Sequence, residues 1–153
     1  MSNTYTQIHI QCVFAVKYRA ALILPAWEDR LYRYITGIVQ KLGHKLLAIN
    51  GMPDHIHIFF GMRPVQSISD LVRVIKGESS EFVNKEILSP GYFRWQGGFG
   101  AFSYRKKDIP VICGYIERQK EHHKMVNFVD EYKLLLKEFD IEYDDKYIFH
   151  EPL

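Results

Sequence analysis

Apolar and polar positions alternate over residues 5–16. Ile8, Ile10, Cys12, Phe14 and Val16 share one face and His9 and Gln11 lie on the other, which predicts a first strand. Over residues 25–42 the period changes: Leu31, Ile35, Ile38, Val39 and Leu42 recur at helical spacing, and Gly43 marks the stop. Residues 45–52 predict a second strand, Pro53-Asp54 a tight turn and residues 55–62 a third strand, so the two form a hairpin. Ser67 or Ser69 caps a second helix, with Ile68, Leu71, Val72, Ile75, Phe82 and Val83 as its buried stripe. Residues 93–95 and 101–104 are extended on either side of the loop Gly97-Gly98-Phe99-Gly100 and supply a fourth strand. Asp108 caps a third helix with Pro110 in its first turn, where proline is tolerated, and a further helix covers about residues 127–139. The end, residues 140–153, is acidic and rich in aromatics (Tyr143, Tyr147, Phe149) and predicts a packed extended segment.

Strand, helix, strand, strand, helix, strand, then helices is the order of an α+β, ferredoxin-like (split βαβ) fold, an antiparallel sheet with helices on one face plus a C-terminal tyrosine-bearing helix. One domain over residues 1–153 is expected, with a core of about residues 5–107, a tyrosine helix of about 109–124, and a C-terminal helix and acidic tail over 125–153. The opposite face of the sheet is expected to be open.

That open face matters because of Pro53-Asp54-His55-Ile56-His57-Ile58-Phe59-Phe60. Alternation in a strand points His55 and His57 one way and Ile56, Ile58 and Phe60 the other, into a core. Sixty residues on, Tyr115-Ile116-Glu117-Arg118-Gln119 places Tyr115 and Gln119 one helical turn apart on a shared face. Two imidazoles, an amide oxygen and a phenol can therefore converge on a metal-bound phosphate. Taken alone, a His-x-His on a strand is often two polar residues on a wet sheet face. Tyr115 alone is a half-buried aromatic and Gln119 a solvated helix residue. Ile112 and Ile116 serve as the core-facing residues of that helix and leave Tyr115 freer, while Arg118, Lys120, His122, His123 and Lys124 crowd it with positive charge. Glu117 lies off the shared face.

Composition bounds the setting. In 153 residues, 47% hydrophobic, there is enough for a core. Cys12 and Cys113 fit neither a disulfide framework nor a zinc finger, which suits a reducing cytoplasm. No signal peptide and no membrane span is expected from the hydropathy. The net charge of +2 hides an asymmetry: residues 1–124 carry 17 Lys and Arg against 10 Asp and Glu, and residues 125–153 carry 3 against 8. A basic body is compatible with a polyanionic partner.

The chain resembles the single-tyrosine HUH transposases of the insertion sequence 200/605 family. The resemblance rests on Asp54-His55-Ile56-His57, on the stretch from Trp95 to Ser103, and on Tyr115-Ile116-Glu117-Arg118-Gln119-Lys120-Glu121-His122-His123, in the family's order over nearly the whole chain. It implies that His55, His57 and Gln119 bind a divalent metal, Mg or Mn, and that Tyr115 is the nucleophile. It implies a transposase that cleaves and rejoins single-stranded DNA at hairpin-bearing element ends through a 5′-phosphotyrosine, working as a homodimer with composite active sites. Lys17, Arg19, Arg63, Lys76, Arg105, Lys106 and Lys107 are the candidate phosphate contacts. One departure stands out: Ser103 is followed by Tyr104-Arg105-Lys106-Lys107, a bulkier and more basic run than the pattern has there.

Competing readings are a host-adapted relative that processes repeated hairpins, and a non-catalytic nucleic-acid-binding ferredoxin-like module. The third strand lacks the aromatic run of RNA-recognition sheets. A zinc hydrolase would want a third His or carboxylate ligand. Gly97-Gly98-Phe99-Gly100 lacks the Lys-Ser/Thr of a P-loop. Tyr104 is the competing nucleophile, and Tyr92 a distant third.

Overall fold

The computed structural model describes residues 3–17, 22–89 and 91–144. Arg19, Tyr147 and Phe149, singled out in the sequence, lie outside these. β1 is His9–Ala15, α1 Glu28–Lys41, β2 Lys45–Met52, β3 His55–Gly61, α2 Ile68–Phe82, β4 Gly100–Tyr104, α3 Ile109–Glu117, α4 Gln119–His122 and α5 Phe128–Glu138. The strands form one antiparallel sheet in the order β2-β3-β1-β4, the arrangement of the ferredoxin-like fold expected from the sequence.

β3 is an inner strand, paired with β2 on one edge and β1 on the other; His57 lies opposite Val13 and Asn50. Its alternation decides the rest. Ile56, Ile58 and Phe60 are fully buried with Cys12 and Phe14 of β1, under Leu31, Ile35 and Val39 of α1 and Leu71 and Ile75 of α2. A slip of one residue would move all three out of that core, at ~1.5–3 kcal/mol each. The register is therefore pinned by the core, and His55 and His57 are committed to the opposite face.

That opposite face is not open. α3 sets Ile116, with Ile112 beside it, on Ala48 and Phe59. α5 sets Phe128, Leu135 and Leu136 on Val13, Ala15 and Phe102. The physical reason is that both helices carry an apolar stripe of their own, and this sheet face is where it is buried. Two boundaries also differ from the periodicity. Residues 5–7 are exposed and irregular, so β1 starts later, at His9. The tyrosine helix expected over residues 109–124 is broken at Arg118, whose backbone opens to φ −94° and ψ 18°, and restarts as α4 with Gln119 buried.

Between α2 and β4 the chain is tied by side chains. Asn84 accepts from the Phe93 N–H at 2.8 Å and donates to its carbonyl at 3.0 Å, and the Trp95 indole donates to Ser79 Oγ at 2.9 Å. Lys76 Nζ donates to the carbonyls of Gln96 and Gly98 and stands over the Phe14 ring. Burial pushes its pKa down to about 8.

The hairpin turn that delivers His55 depends on Gly51, where a Cβ would collide with the His55 carbonyl oxygen. Gly51→Ala is expected to destabilise the fold by more than ~2 kcal/mol in urea unfolding. Ser67→Ala, which removes only the cap that accepts from Asp70 N–H at 3.0 Å, should cost about 1 kcal/mol.

Candidate active site

His55 and His57 are both fully buried, with ring centroids 5.2 Å apart. Each ring is aimed by a group behind it. His55 Nδ1 lies 2.8 Å from Asp54 Oδ1; a carboxylate only accepts, so Nδ1 carries the proton and Nε2 faces inward. His57 Nδ1 lies 2.7 Å from Gln11 Oε1, and Gln11 Nε2 donates in turn to Tyr104 Oη at 2.9 Å. Gln11 comes from β1, next to the histidine strand. Burial lowers the His57 pKa to about 4 against the pull of Glu131, so that ring is neutral above this pH. Burial also works against the charge of His55, but Asp54 and Glu131 outweigh it and raise its pKa.

The helical half of the site arrives on α3 and α4. Tyr115 lies edge-on to His57, with ring centroids 5.9 Å apart, and its phenol donates to Glu131 Oε2. Gln119 turns its Oε1 to within 3.2 Å of His55 Nε2, while its Nε2 donates to Glu131 Oε2 at 3.0 Å. Burial, and then the Glu131 carboxylate, raise the Tyr115 pKa, so in this state the phenol keeps its proton. Lys120 pins α4 in place: its Nζ meets Asn50 Oδ1 at 3.2 Å and Glu28 Oε2 at 3.0 Å, and donates to the Gly51 carbonyl. The four residues singled out in the sequence, His55, His57, Tyr115 and Gln119, are thus brought together within one chain.

Two more join them. Glu131 of α5 is 2% exposed, and its Oε1 lies 3.1 Å from His57 Nε2, 3.4 Å from His55 Nε2 and 2.9 Å from His123 Nε2. Burial would raise the carboxyl, but the neighbouring His55, His57 and Tyr115 hold it well below the usual carboxylate range. The ligand atoms of His55, His57, His123 and Glu131 all lie within 4.8 Å of one another. Sequence reasoning counted His123 only as positive charge and passed over Glu131. A signal was available: Phe128, Glu131 and Leu135 fall on one stripe of α5, and a carboxylate in a buried stripe is rarely placed there without partners.

Tyr104 stands behind this cluster rather than in it, holding Gln11, and burial raises its pKa to about 12. Tyr92 is exposed. A cleft of about 260 Å³ lined by Gln11, Tyr104, Tyr115, His122 and Glu131 reaches the phenol. Of the cations, Arg105, Lys106 and Lys107 are exposed on the turn that leads into α3, with Arg105 paired to Asp108 at 3.1 Å. Arg63 is exposed beside Gly43, Lys17 is half-buried, and Lys76 is turned inward onto the glycine loop.

The model of the family described as Transposase IS200 like matches residues 4–119. The ISDra2 transposase TnpA of Deinococcus radiodurans is 30% identical over 121 residues, which cover 75% of this chain and 86% of that protein. A solved structure described as a transposase from Deinococcus radiodurans R1 is 26% identical, with a TM-score of 0.59 over 78% of this chain and 96% of the other. A REP-associated tyrosine transposase solved with a REP hairpin shares the fold at 17% identity, with a TM-score of 0.60 over 100% of this chain and 98% of the other.

The His57 environment predicts its titration. In metal-free protein its ring signals should show the Nδ1–H tautomer by nitrogen–proton NMR and stay constant from pH 8 down to about 5. Since its pKa is lowered on folding, the stability that His57 contributes is complete above its unfolded pKa of 6.5 and is lost as the pH falls towards 4. Gln11→Leu should mix the two tautomers.

Proposed function

Because the chain belongs to the IS200-like transposase family, we propose that it cleaves and rejoins single-stranded DNA at hairpin-bearing ends, with Tyr115 as the nucleophile. The observation that carries this reading is the convergence of the Tyr115 phenol and His57 Nε2 on the buried Glu131 carboxylate, with the Tyr115 ring edge-on to His57 and Gln119 Oε1 beside His55 Nε2. Two imidazoles whose outer nitrogens are held by Asp54 and Gln11 present their lone pairs inward, as ligands of a divalent ion do. Such an ion, Mg or Mn, would be held by His55, His57 and Gln119 and would polarise the scissile phosphate.

The remaining chemistry falls to the chain. A phenol is a weak nucleophile near neutral pH, and Tyr115 is held protonated here, so the attack requires its hydrogen bond to Glu131 to be given up or shared. The Tyr115 oxygen sheds its proton as it forms the bond to phosphorus, and the bond to the 3′-oxygen breaks in line while that oxygen takes up a proton, leaving a 5′-phosphotyrosine and a free 3′-hydroxyl. The ester is conserved, so a second 3′-hydroxyl reverses the step without a nucleotide cofactor. Unpaired DNA would approach along the cleft beside Tyr104 and His122, with Arg105, Lys106 and Lys107 at the rim for phosphates. Lys76 is the weakest of the candidate contacts, since its ammonium already serves two carbonyls.

The homodimer with composite sites implied by the resemblance belongs to this reading, as does a cytoplasmic setting; no helix among the described residues is long and apolar enough to cross a membrane. In the single chain α3 already closes its own site. Exchange between copies would need the turn before α3, at residues 105–108, to swing and the Tyr115–Glu131 bond to part.

The test is a labelled single-stranded oligonucleotide with a hairpin, incubated with Mg or Mn and resolved on a denaturing protein gel. Wild type should form an adduct that retains only the label 3′ of the cut. Tyr115→Phe should lose it, with cleavage down by roughly 10³-fold or more. Tight hairpin binding with no adduct under either metal would leave a non-catalytic binding module. An adduct that survives Tyr115→Phe would shift the role to Tyr104.

A further inference from the structure

The cluster contains a buried carboxylate, Glu131, of which the reaction above engages only Oε2. An uncompensated buried carboxylate costs several kcal/mol, so the partners of Glu131 have to account for both oxygens. Oε2 is satisfied by two groups that can only donate in this arrangement, the Tyr115 hydroxyl and the Gln119 amide. Oε1 is different. It faces Nε2 of His123 at 2.9 Å, of His57 at 3.1 Å and of His55 at 3.4 Å.

Two of those rings have spent their proton elsewhere. His55 Nδ1 donates to the Asp54 carboxylate and His57 Nδ1 to Gln11 Oε1. A neutral ring protonated at Nδ1 has only a lone pair at Nε2. In that state Nε2 of both rings turns a lone pair towards Oε1, and all the ligand atoms of His55, His57, His123 and Glu131 lie within 4.8 Å of one another, an arrangement that one shared cation resolves. Ligands about 2.1 Å from a tetrahedral ion stand ~3.4 Å apart, and Oε1 lies 2.9, 3.1 and 3.4 Å from the three ring nitrogens.

Resting on the reading in which His55 and His57 hold a divalent ion, we propose that Glu131, through Oε1, and His123 are ligands of that same ion, which thereby clamps the C-terminal helix α5 onto the sheet within one chain. Phe128, Leu135 and Leu136 supply the packing half of that attachment and the ion the other half. Three imidazoles and one carboxylate, beside the Gln119 amide oxygen, also set the metal preference. They favour Mn, Co or Zn over Mg, which prefers oxygen ligands and retains its waters.

The test uses the full chain, freed of metal and titrated with Mn²⁺ by calorimetry, with hydrogen exchange followed over residues 128–138. Wild type should bind one ion, more tightly than Mg²⁺, and α5 should exchange more slowly once it is bound. Glu131→Gln, which keeps the shape and removes the charge, should weaken Mn²⁺ at least ~10-fold and abolish the metal-dependent protection of α5. Wild-type affinity in Glu131→Gln, alongside loss of binding in His57→Ala, would overturn the proposal and leave the histidine-pair site standing. No binding of Mn²⁺, Co²⁺ or Zn²⁺ by wild type would overturn both, while the adduct assay would still decide the role of Tyr115. Co²⁺-loaded wild type needs no substitution: the intense visible bands of a four- or five-coordinate site support the proposal, and the weak spectrum of a water-rich octahedral site overturns it.

Discussion

β3 is hydrogen-bonded on both edges, and an inner strand can send its side chains in only two directions. Every other feature of the molecule answers to that constraint. Ile56, Ile58 and Phe60 fill the space under α1 and α2, so His55, His57 and Phe59 must fill the space under α3 and α5. Phe59 seats Ile116 of α3, and that contact sets the height at which Tyr115, one residue earlier, meets His57. The core on one face thus places the chemistry on the other.

Placing so many polar groups under helices has an electrostatic cost, and it is offset locally. Asp54 and Gln11 aim the two rings, Tyr104 aims Gln11, and Glu131 takes donors from two helices. The charge balance is uneven: His57 is held neutral while Glu131 is held ionised. A site of this kind suits a cation better than it suits emptiness. It also bears on the zinc-hydrolase alternative, since the third histidine and the carboxylate that such a site wants are present in His123 and Glu131. Family membership, with a phenol inside the cluster, favours strand transfer over hydrolysis as the use of those groups.

How much was legible in the sequence depends on the range of the interaction. The strand and helix periods, the β2–β3 hairpin and the outward direction of His55 and His57 all follow from neighbours within a few residues, where backbone geometry and side-chain alternation leave one solution, while the choice of Ser67 over Ser69 as the cap of α2 was left to the structure. Tyr115 and Gln119 were found through their spacing and through resemblance, and their meeting with the histidines is a matter of packing. The closed second face of the sheet, the break at Arg118, the aiming of His57 by Gln11 and the arrival of Glu131 and His123 were decided only by tertiary structure. Gln11 and His57 are 46 positions apart and Glu131 and His57 are 74 apart, and no periodicity carries a signal over that distance. What the sequence by itself determined was which face each residue would occupy. Which faces would meet was decided by the burial of apolar stripes from distant segments, because that term depends on surface removed from water in three dimensions and not on order along the chain.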